Sequence, residues 1–510
     1  VTLRSIPGAL RPRARGWPPP AAGLLIGGVG VALGVAAARL PLAWAVGGLI
    51  AAAVVALALI DPVYGLAAAL ILGPTKPLTD AYAPALPLDA GQIALILTLG
   101  AWFLHAARRG EVRVPASPFN VPLLVFVGVA LLSLTDALSL GYGLNEVIKW
   151  AQIVVVMWLA VDFARRGRLG FVVGAVLTSA AVQAAIGVWQ FGLRGNGPEQ
   201  FLILGGRFYR AYGTFEQPNP YGGFVGMALA VACGVALGAL MGWARPVGEN
   251  LRARRPLSAR RVLRAASNAH APALIGLIVL AGLLLAGLLA SWSRGAWLGF
   301  GAAAFVMLAA WPRRAWIGLL LAAGAVLAAA LAMRFNLLPG EIAARLTGFT
   351  AYFRSFDVRG VDINDLNFSV IERLAHWQAA REMARHNFWL GVGIGNYEPV
   401  YAAYALMNWP YPLGHAHNFY LNLFAETGII GLIAYGALWI VVLWQTWRAT
   451  RGGAPWQRGL AIGLLGAWTH LLVHSLVDKL YVANLHLHVG VLLGALSYIS
   501  MNRTHKTEAA

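Results

Sequence analysis

Residues 21–37, 42–60 and 271–289 carry no charged side chain. Each run is about 17–20 residues, the length of helix that crosses about 30 Å of hydrocarbon. Runs of this kind recur to the carboxyl end. Fourteen apolar segments can be drawn, near 21–37, 42–60, 62–74, 90–106, 120–135, 147–163, 170–191, 219–241, 271–291, 293–311, 315–333, 417–446, 459–477 and 480–500. The third is short for a span, which leaves about 12–14 transmembrane helices. Composition agrees, since the 510 residues are 59% hydrophobic and 12% charged, against roughly 25% charged in soluble domains. The expected fold class is an all-α polytopic membrane protein with one large, partly helical periplasmic loop. Its parts divide into a transmembrane region of about eleven spans over 1–333, the loop over 334–416, and C-terminal transmembrane helices with a cytoplasmic tail over 417–510.

Arg4, Arg11, Arg13 and Arg15 precede the first apolar run in the manner of a signal peptide, but no small-residue cleavage site follows, so a retained first helix is expected. The single cysteine, Cys233, lies inside an apolar segment and offers no disulfide framework. Alternating the segments puts both termini on one side, with the loops at Arg108–Arg113, Arg165–Arg168, Arg245–Arg264, Arg313–Arg314 and Arg448–Arg458. That side collects 24 of the 39 Lys and Arg residues. Basic residues concentrate in cytoplasmic loops, so both termini are expected in the cytoplasm. The net charge of +19 then reads as anchoring to membrane lipids at the inner leaflet, with no nucleic-acid partner. The remaining basic residues fall on the outer side, where that rule gives no reason for them. Lys149, Arg210, Arg294, Arg345 and Arg373 are among these, and Arg210 and Arg294 stand beside the starts of apolar helices.

Arg334 to Gly414 is the one large extramembrane piece. Ser369 and Glu372 have the spacing of a capping box. They open a run to about His386 with Val370, Leu374, Trp377, Ala380 and Met383 at a helical period and His376 off the stripe. An amphipathic helix lying on the outer membrane surface is expected there. The glycines of Gly391-Val392-Gly393-Ile394-Gly395 make a turn, with no strand–turn–helix context for a dinucleotide site. Tyr397, Tyr401, Tyr404, Trp409 and Tyr411 follow, as sugar-stacking surfaces or as an interfacial belt.

The most informative stretch is His415-Ala416-His417-Asn418-Phe419, followed by Glu426-Thr427-Gly428 and Gly431. It sets an ionisable pair at the mouth of an apolar helix, where such groups are costly and usually functional. As a metal site the pair is incomplete, because zinc takes three or four ligands and no Cys or carboxylate cluster accompanies it. His470, His474 and Asp478 share one face at i, i+4 and i+8, which keeps a histidine-rich centre open, but no metal and no cofactor is expected. One histidine as a general base fits better, since an imidazole with a pKa of ~6.5 takes a hydroxyl proton near neutral pH. Glu426, about two and a half turns into the helix, should be paired or neutral there, as an anchor or a catalytic partner. Gly428, Gly431 and Gly436 are expected to admit a neighbouring helix. Arg294 belongs to a tight hairpin, Ser291-Trp292-Ser293-Arg294-Gly295, and Arg210 precedes Gly213-Thr214-Phe215 and Pro218-Asn219. Guanidinium groups bind phosphate oxygens bidentately and neutralise a diphosphate leaving group.

Together His417-Asn418 through Gly431, Ser293-Arg294-Gly295, Gly213-Thr214-Phe215 with Pro218-Asn219, and Arg373, Trp377 and Gly391-Val392-Gly393 resemble the O-antigen ligase/polymerase superfamily of bacterial envelope glycan assembly. The resemblance spans roughly residues 200–480. It implies a metal-independent glycosyltransferase of the bacterial inner membrane. Such an enzyme takes glycan from an undecaprenyl diphosphate donor on the periplasmic face and passes it to a lipid or glycan acceptor. It places the essential histidine on His417 and the diphosphate contacts on Arg210 and Arg294. Beside these, Lys149, Arg373, His415 and Asn418 are expected as further donor contacts, and Glu426 as a structural anchor first and a catalytic partner second. A ligase acting by one inverting displacement is the first reading and a polysaccharide polymerase the second. A lipid-linked oligosaccharide flippase or transporter, the rival from another class, would show paired broken helices and an internal repeat, and no clear repeat is present.

Overall fold

The computed structural model describes residues 42–82, 88–110, 113–252, 270–347, 357–364 and 367–508, together with Gly34. The Arg4–Arg15 group, the rest of the 21–37 segment and most of the arginine-rich stretch ending at Arg264 lie outside them. Among the described residues the chain is helical apart from a two-residue antiparallel hairpin, β1 (Leu202–Ile203) and β2 (Phe208–Tyr209). The helices are α1 (Leu42–Ile60), α2 (Pro62–Leu72), α3 (Lys76–Tyr82), α4 (Ala90–Arg108), α5 (Asn120–Leu132), α6 (Leu140–Arg165), α7 (Leu169–Gly192), α8 (Pro218–Arg252) and α9 (His270–Ala290). They continue as α10 (Arg294–Ala310), α11 (Ala315–Arg334), α12 (Gly340–Thr347), α13 (Phe368–His386), α14 (Tyr397–Val400), α15 (Phe419–Thr450), α16 (Pro455–His474) and α17 (Leu485–Glu508). Eight of these, α4, α6, α7, α8, α9, α11, α15 and α17, are long and apolar enough to cross a membrane. The protein is an all-α polytopic membrane protein.

Helix α16 sits at the centre, against α8, α10 and α15. Gly459 and Gly463 face Gly234 and Gly238 of α8 so closely that a Cβ on any of them would overlap opposing backbone. Without a hydrophobic drive between helices in lipid, such close backbone approach is what holds a pair together. An aromatic cluster joins α5, α6 and α15. Phe126 and Trp150 rings lie 4.4 Å apart, Trp150 and Tyr481 5.0 Å, and Phe419 and Tyr481 4.9 Å. Phe419, the first residue of α15, is thereby buried, and this fixes the chain just ahead of it.

The basic turns meet at one end, as alternation of the spans requires. Arg451 Nη1 donates to the carbonyls of Pro312 (3.1 Å) and Arg313 (3.3 Å), and the Arg458 guanidinium reaches the Trp311 carbonyl. The starts of α8, α10 and α15 and the end of α16 belong to the opposite end.

The segment after α11 departs from its sequence reading in four ways. Ser369 does not cap α13. Asn367 is the N-cap residue, and Asn364 and Asn367 exchange side-chain-to-backbone bonds, Asn367 Oδ1 accepting from Asn364 N (2.8 Å) and Asn364 Oδ1 from Asn367 N (3.1 Å). That Asx pairing starts the helix earlier than the Ser-Val-Ile-Glu pattern suggests. Helix α13 is also not a surface helix, because His376 and Gln378 are buried along with the apolar stripe. Tyr397 and Tyr401 cover the second face, so these rings and Trp409 are core rather than open stacking platforms, while Tyr411 is exposed. Gly428 admits a loop instead of a helix. Its φ of 63° kinks α15, and a Cβ would strike the Trp389 backbone. The kink frees α15 to take backbone bonds from that loop, with Ile429 N donating to Phe388 O (2.8 Å) and Val392 N to Ala425 O (2.9 Å). A Cβ on Gly431 would first meet Thr427 of the same helix, and one on Gly436 meets open space among the described residues.

Candidate active site

A cavity of about 140 Å³ opens where α8, α10, α13 and the end of α16 converge. Among the described residues, Arg210, Arg294, Arg345 and Arg373 line it, and Asp478 is the one carboxylate in its wall. Each guanidinium is aimed by the local fold. Gln190 Oε1 accepts from Tyr212 N (3.1 Å) and Gly213 N (2.7 Å), and Gln183 Oε1 from Thr214 N (3.0 Å), which pins residues 212–214 to α7. Arg210, just before this clamp, donates from Nε to Ser291 O (3.0 Å) and from Nη2 to Asn219 Oδ1 (3.1 Å). Asn219 Oδ1 also accepts from Ser293 Oγ (3.0 Å), the N-cap of α10, so the Arg210 strand and the Arg294 hairpin share one acceptor. Arg345, on α12, donates from Nη2 (2.9 Å) and Nε (3.3 Å) to the carbonyl of Trp292. Trp292 is held at a left-handed φ of 51°.

Four like charges around one space are unfavourable without a counter-charge. Burial, and then Arg373 and Arg294, push the Arg210 guanidinium down to about 10. Burial followed by Arg294, Arg210 and Arg373 takes Arg345 to about 9. Arg210 and Arg345 remain cationic at neutral pH, and a cavity lined by guanidinium groups suits a multivalent anion.

Behind the Asp478 wall stand the two histidines. His415 Nε2 donates to Asp478 Oδ1 (3.2 Å), and His417 Nδ1 lies 3.9 Å from the same oxygen. The chain reaches this position because Phe419 N donates to Ser475 O (2.8 Å), tying the start of α15 to the end of α16. His417 has a left-handed φ of 51°, a conformation that costs a non-glycine residue of order 1 kcal/mol. Trp377 Nε1 holds its carbonyl at 3.4 Å, and Asn422 Oδ1 holds Ala416 N at 3.0 Å. Among the described residues, neither ring nitrogen of His417 has a hydrogen-bond partner. Burial, then His415, lower the His417 imidazole to about 3, against a smaller opposing pull from Asp478. It is therefore neutral at physiological pH, with a lone pair to offer. Burial would raise the Asp478 carboxyl, but the His415 hydrogen bond and the surrounding histidines hold it below the usual carboxylate range.

Sequence reasoning placed Arg210, Arg294, Arg373, His415 and His417 near one another, and the structure brings them together. Lys149 and Glu426 are not in the cavity wall. Lys149 Nζ pairs with Glu146 Oε1 (2.7 Å) on α6, and Glu426 accepts from Tyr397 N (3.2 Å) within the glycine turn. Asn418 caps α15, its Oδ1 accepting from Tyr420 N (3.0 Å) and Leu421 N (3.1 Å). The expectation that no carboxylate accompanies the histidine pair is corrected by Asp478, since His415, His417 and Asp478 place one ligand atom each within 4.8 Å of one another. That is the geometry of a three-ligand cation site, set against four arginines whose charge opposes it. Asp478 and Arg345 were missed as site residues. The spacing of Asp478 one turn beyond His474 was the available signal, whereas Arg345 had none beyond its outer position.

A second, mostly apolar cavity lies on the far side of the Leu374–Trp377 wall, lined by Gln378, Arg381, Asn418, Tyr420, Leu421 and Leu476 as well. His417, whose carbonyl accepts from Trp377 Nε1 of that shared wall, lines neither space itself.

No curated protein matches the chain. Residues 279–436, from within α9 through the α15 kink and including Arg294, Arg345, Arg373, His415, His417 and Glu426, match the family described as O-Antigen ligase.

Proposed function

We propose that this protein is a membrane glycosyltransferase of the O-antigen ligase type. It transfers a glycan from undecaprenyl diphosphate to an acceptor hydroxyl on the periplasmic face of the inner membrane, without a metal and with inversion at the anomeric carbon. The observation that carries this reading is the juxtaposition of a four-arginine cavity with a neutral, unpartnered imidazole across Asp478.

The arginine cavity takes the diphosphate, with the lipid tail passing between helices and the glycan reaching toward Trp377. The acceptor approaches from the second cavity, which shares that wall. His417 removes the acceptor proton as the oxygen bonds to the anomeric carbon. The bond from that carbon to the phosphate oxygen breaks, and the departing negative charge is neutralised by Arg210, Arg294, Arg345 and Arg373. The imidazolium formed sits beside Asp478, which stabilises it as the carboxylate of a His–Asp pair does.

General-base assistance is typically worth ~10²–10⁴-fold. Purified protein in EDTA, given an undecaprenyl-diphosphate-linked glycan and a lipid acceptor, should move glycan in a single step. His417→Ala should lose ~10²–10⁴-fold of that rate with its fold intact. A ladder of lengthening glycan on the lipid would assign polymerisation instead. Transfer by His417→Ala at the wild-type rate would withdraw the base role.

A further inference from the structure

His474, at the last turn of α16, is fully buried, lines the arginine cavity, and has no hydrogen-bond partner for either ring nitrogen among the described residues. Its ring is slotted between two glycines. A Cβ on Gly223 of α8 would come within 3.2 Å of His474 Cε1, and one on Gly295 of α10 within 3.5 Å of His474 Cδ2 and Nε2. The Nε2 edge therefore faces the first turn of α10. That turn supplies Ser293, Arg294 and Gly295 to the same cavity wall. Ser293 Oγ accepts from Ala296 N (3.4 Å), and the position of Gly295 in the first turn leaves its amide without an intrahelical acceptor. A 17-residue helix thus directs its positive end at the space that the unpartnered imidazole also lines.

We propose that His474 and the amino-terminal turn of α10 form an uncharged half of the anion site, donating N–H groups to phosphate oxygens that the arginines hold by charge. The ligand class is a diphosphate, either lipid-linked or as free pyrophosphate. This assignment rests on the donor reading above and adds to it. The chemistry explains why this part of the site is neutral. A fifth cation would add to the repulsion among four guanidinium groups in the empty cavity, whereas neutral donors add bonds without adding charge. It also accounts for an imidazole left unsatisfied in the protein interior, since a buried polar group finds a partner in nearly all native structures.

The test is binding of farnesyl diphosphate, inorganic pyrophosphate and farnesyl monophosphate to the full chain in nanodiscs, for wild type, Arg294→Ala, His474→Leu and His474→Phe. His474→Leu and His474→Phe are expected to weaken diphosphate binding about tenfold, the size of a lost hydrogen bond to a charged group. Both should melt at or above the wild-type temperature, because each deletes an unpartnered buried imidazole. Two variants of different volume guard against one that fails to fold. Weakening seen with farnesyl diphosphate alone assigns the lipid-linked form, and weakening seen with both assigns the shared diphosphate. If Arg294→Ala binds poorly while both His474 variants bind as wild type does, the His474 role falls and the donor reading stands. If wild type binds no diphosphate, both fall.

Discussion

Replacing Asp478 by asparagine separates the two tasks assigned to the site, because the carboxylate faces both. Asparagine keeps the volume and an acceptor for His415 Nε2 but removes the charge 3.9 Å from His417 Nδ1. At that separation two unit charges attract by about 4 kcal/mol at an effective dielectric constant of about 20. A transition state with the proton half transferred to His417 takes about half of this, about 2 kcal/mol, or roughly a 30-fold loss in kcat. Donor binding should move the other way. Asp478 is the one carboxylate in a wall of four arginines, and its removal relieves repulsion of an incoming diphosphate, so the donor dissociation constant should fall. Single-turnover transfer at saturating donor, alongside equilibrium binding of farnesyl diphosphate, measures the two separately. A kcat within about threefold of wild type would refute the counter-charge argument, since even a quarter-transferred proton takes about 1 kcal/mol of that attraction, or roughly fivefold in rate. A joint loss of rate and affinity would make Asp478 a structural residue instead.

His376, whose ring nitrogen Nδ1 lies 2.8 Å from the Tyr397 hydroxyl, is lowered from 6.5 to about 4 by burial and then by His415. The folded protein therefore holds fewer protons there than the unfolded chain, so stability is whole above about pH 6.5 and falls as pH drops toward about 4. Thermal melts at pH 8, 6.5 and 5 should show the decline, and His376→Phe should make it shallower; an unchanged slope would contradict the burial of a neutral imidazole. Lys479 Nζ lies 3.0 Å from Glu146 Oε1, with both side chains largely buried. Lys479→Met should cost about 3 kcal/mol, the low end for breaking a buried pair, because Lys149 remains beside Glu146. Lys479→Met with Glu146→Gln and Lys149→Met should recover most of the melting temperature, since no member of the charge group is then left unpaired, and failure of this variant to recover would mean that packing of these side chains, not their charge, is what matters.

The spans were legible because membrane helices are written in continuous apolar runs, and residue-level composition is enough to find them. The positions of Arg210, Arg294 and His417 near one end of the helices were legible for a related reason, since charge at the outer end of an apolar helix is visible against a sequence that otherwise lacks it. What failed was local pattern where tertiary contacts decide. Helix α13 has one apolar stripe in sequence and two buried faces in the fold, because Tyr397 and Tyr401 return some twenty residues later to cover His376. The glycines after Glu426 read as a helix-packing surface, yet the kink at Gly428 lets Ile429 and Ala425 exchange backbone bonds with Phe388 and Val392 of the loop after α13.

Asp478 and His474 fall in a different category, for their meaning depends on a register that no local pattern encodes. They stand 61 and 57 residues beyond His417 in the chain, and the bond from Phe419 N to Ser475 O is what aligns α15 with α16 so that all three meet. In sequence His470, His474 and Asp478 form one stripe, which suggested a common centre. In the fold α16 ends at His474, so Asp478 turns toward the His415–His417 pair while His474 faces the first turn of α10. One helical stripe is thus split between the His417 side of the site and the arginine side. In the proposed displacement, that split sets the charge developing on His417 and the charge leaving with the diphosphate on opposite faces of a single carboxylate. A displacement that separates those two charges needs this arrangement, and any change that lengthened α16 by one turn would destroy it while leaving every apolar run intact.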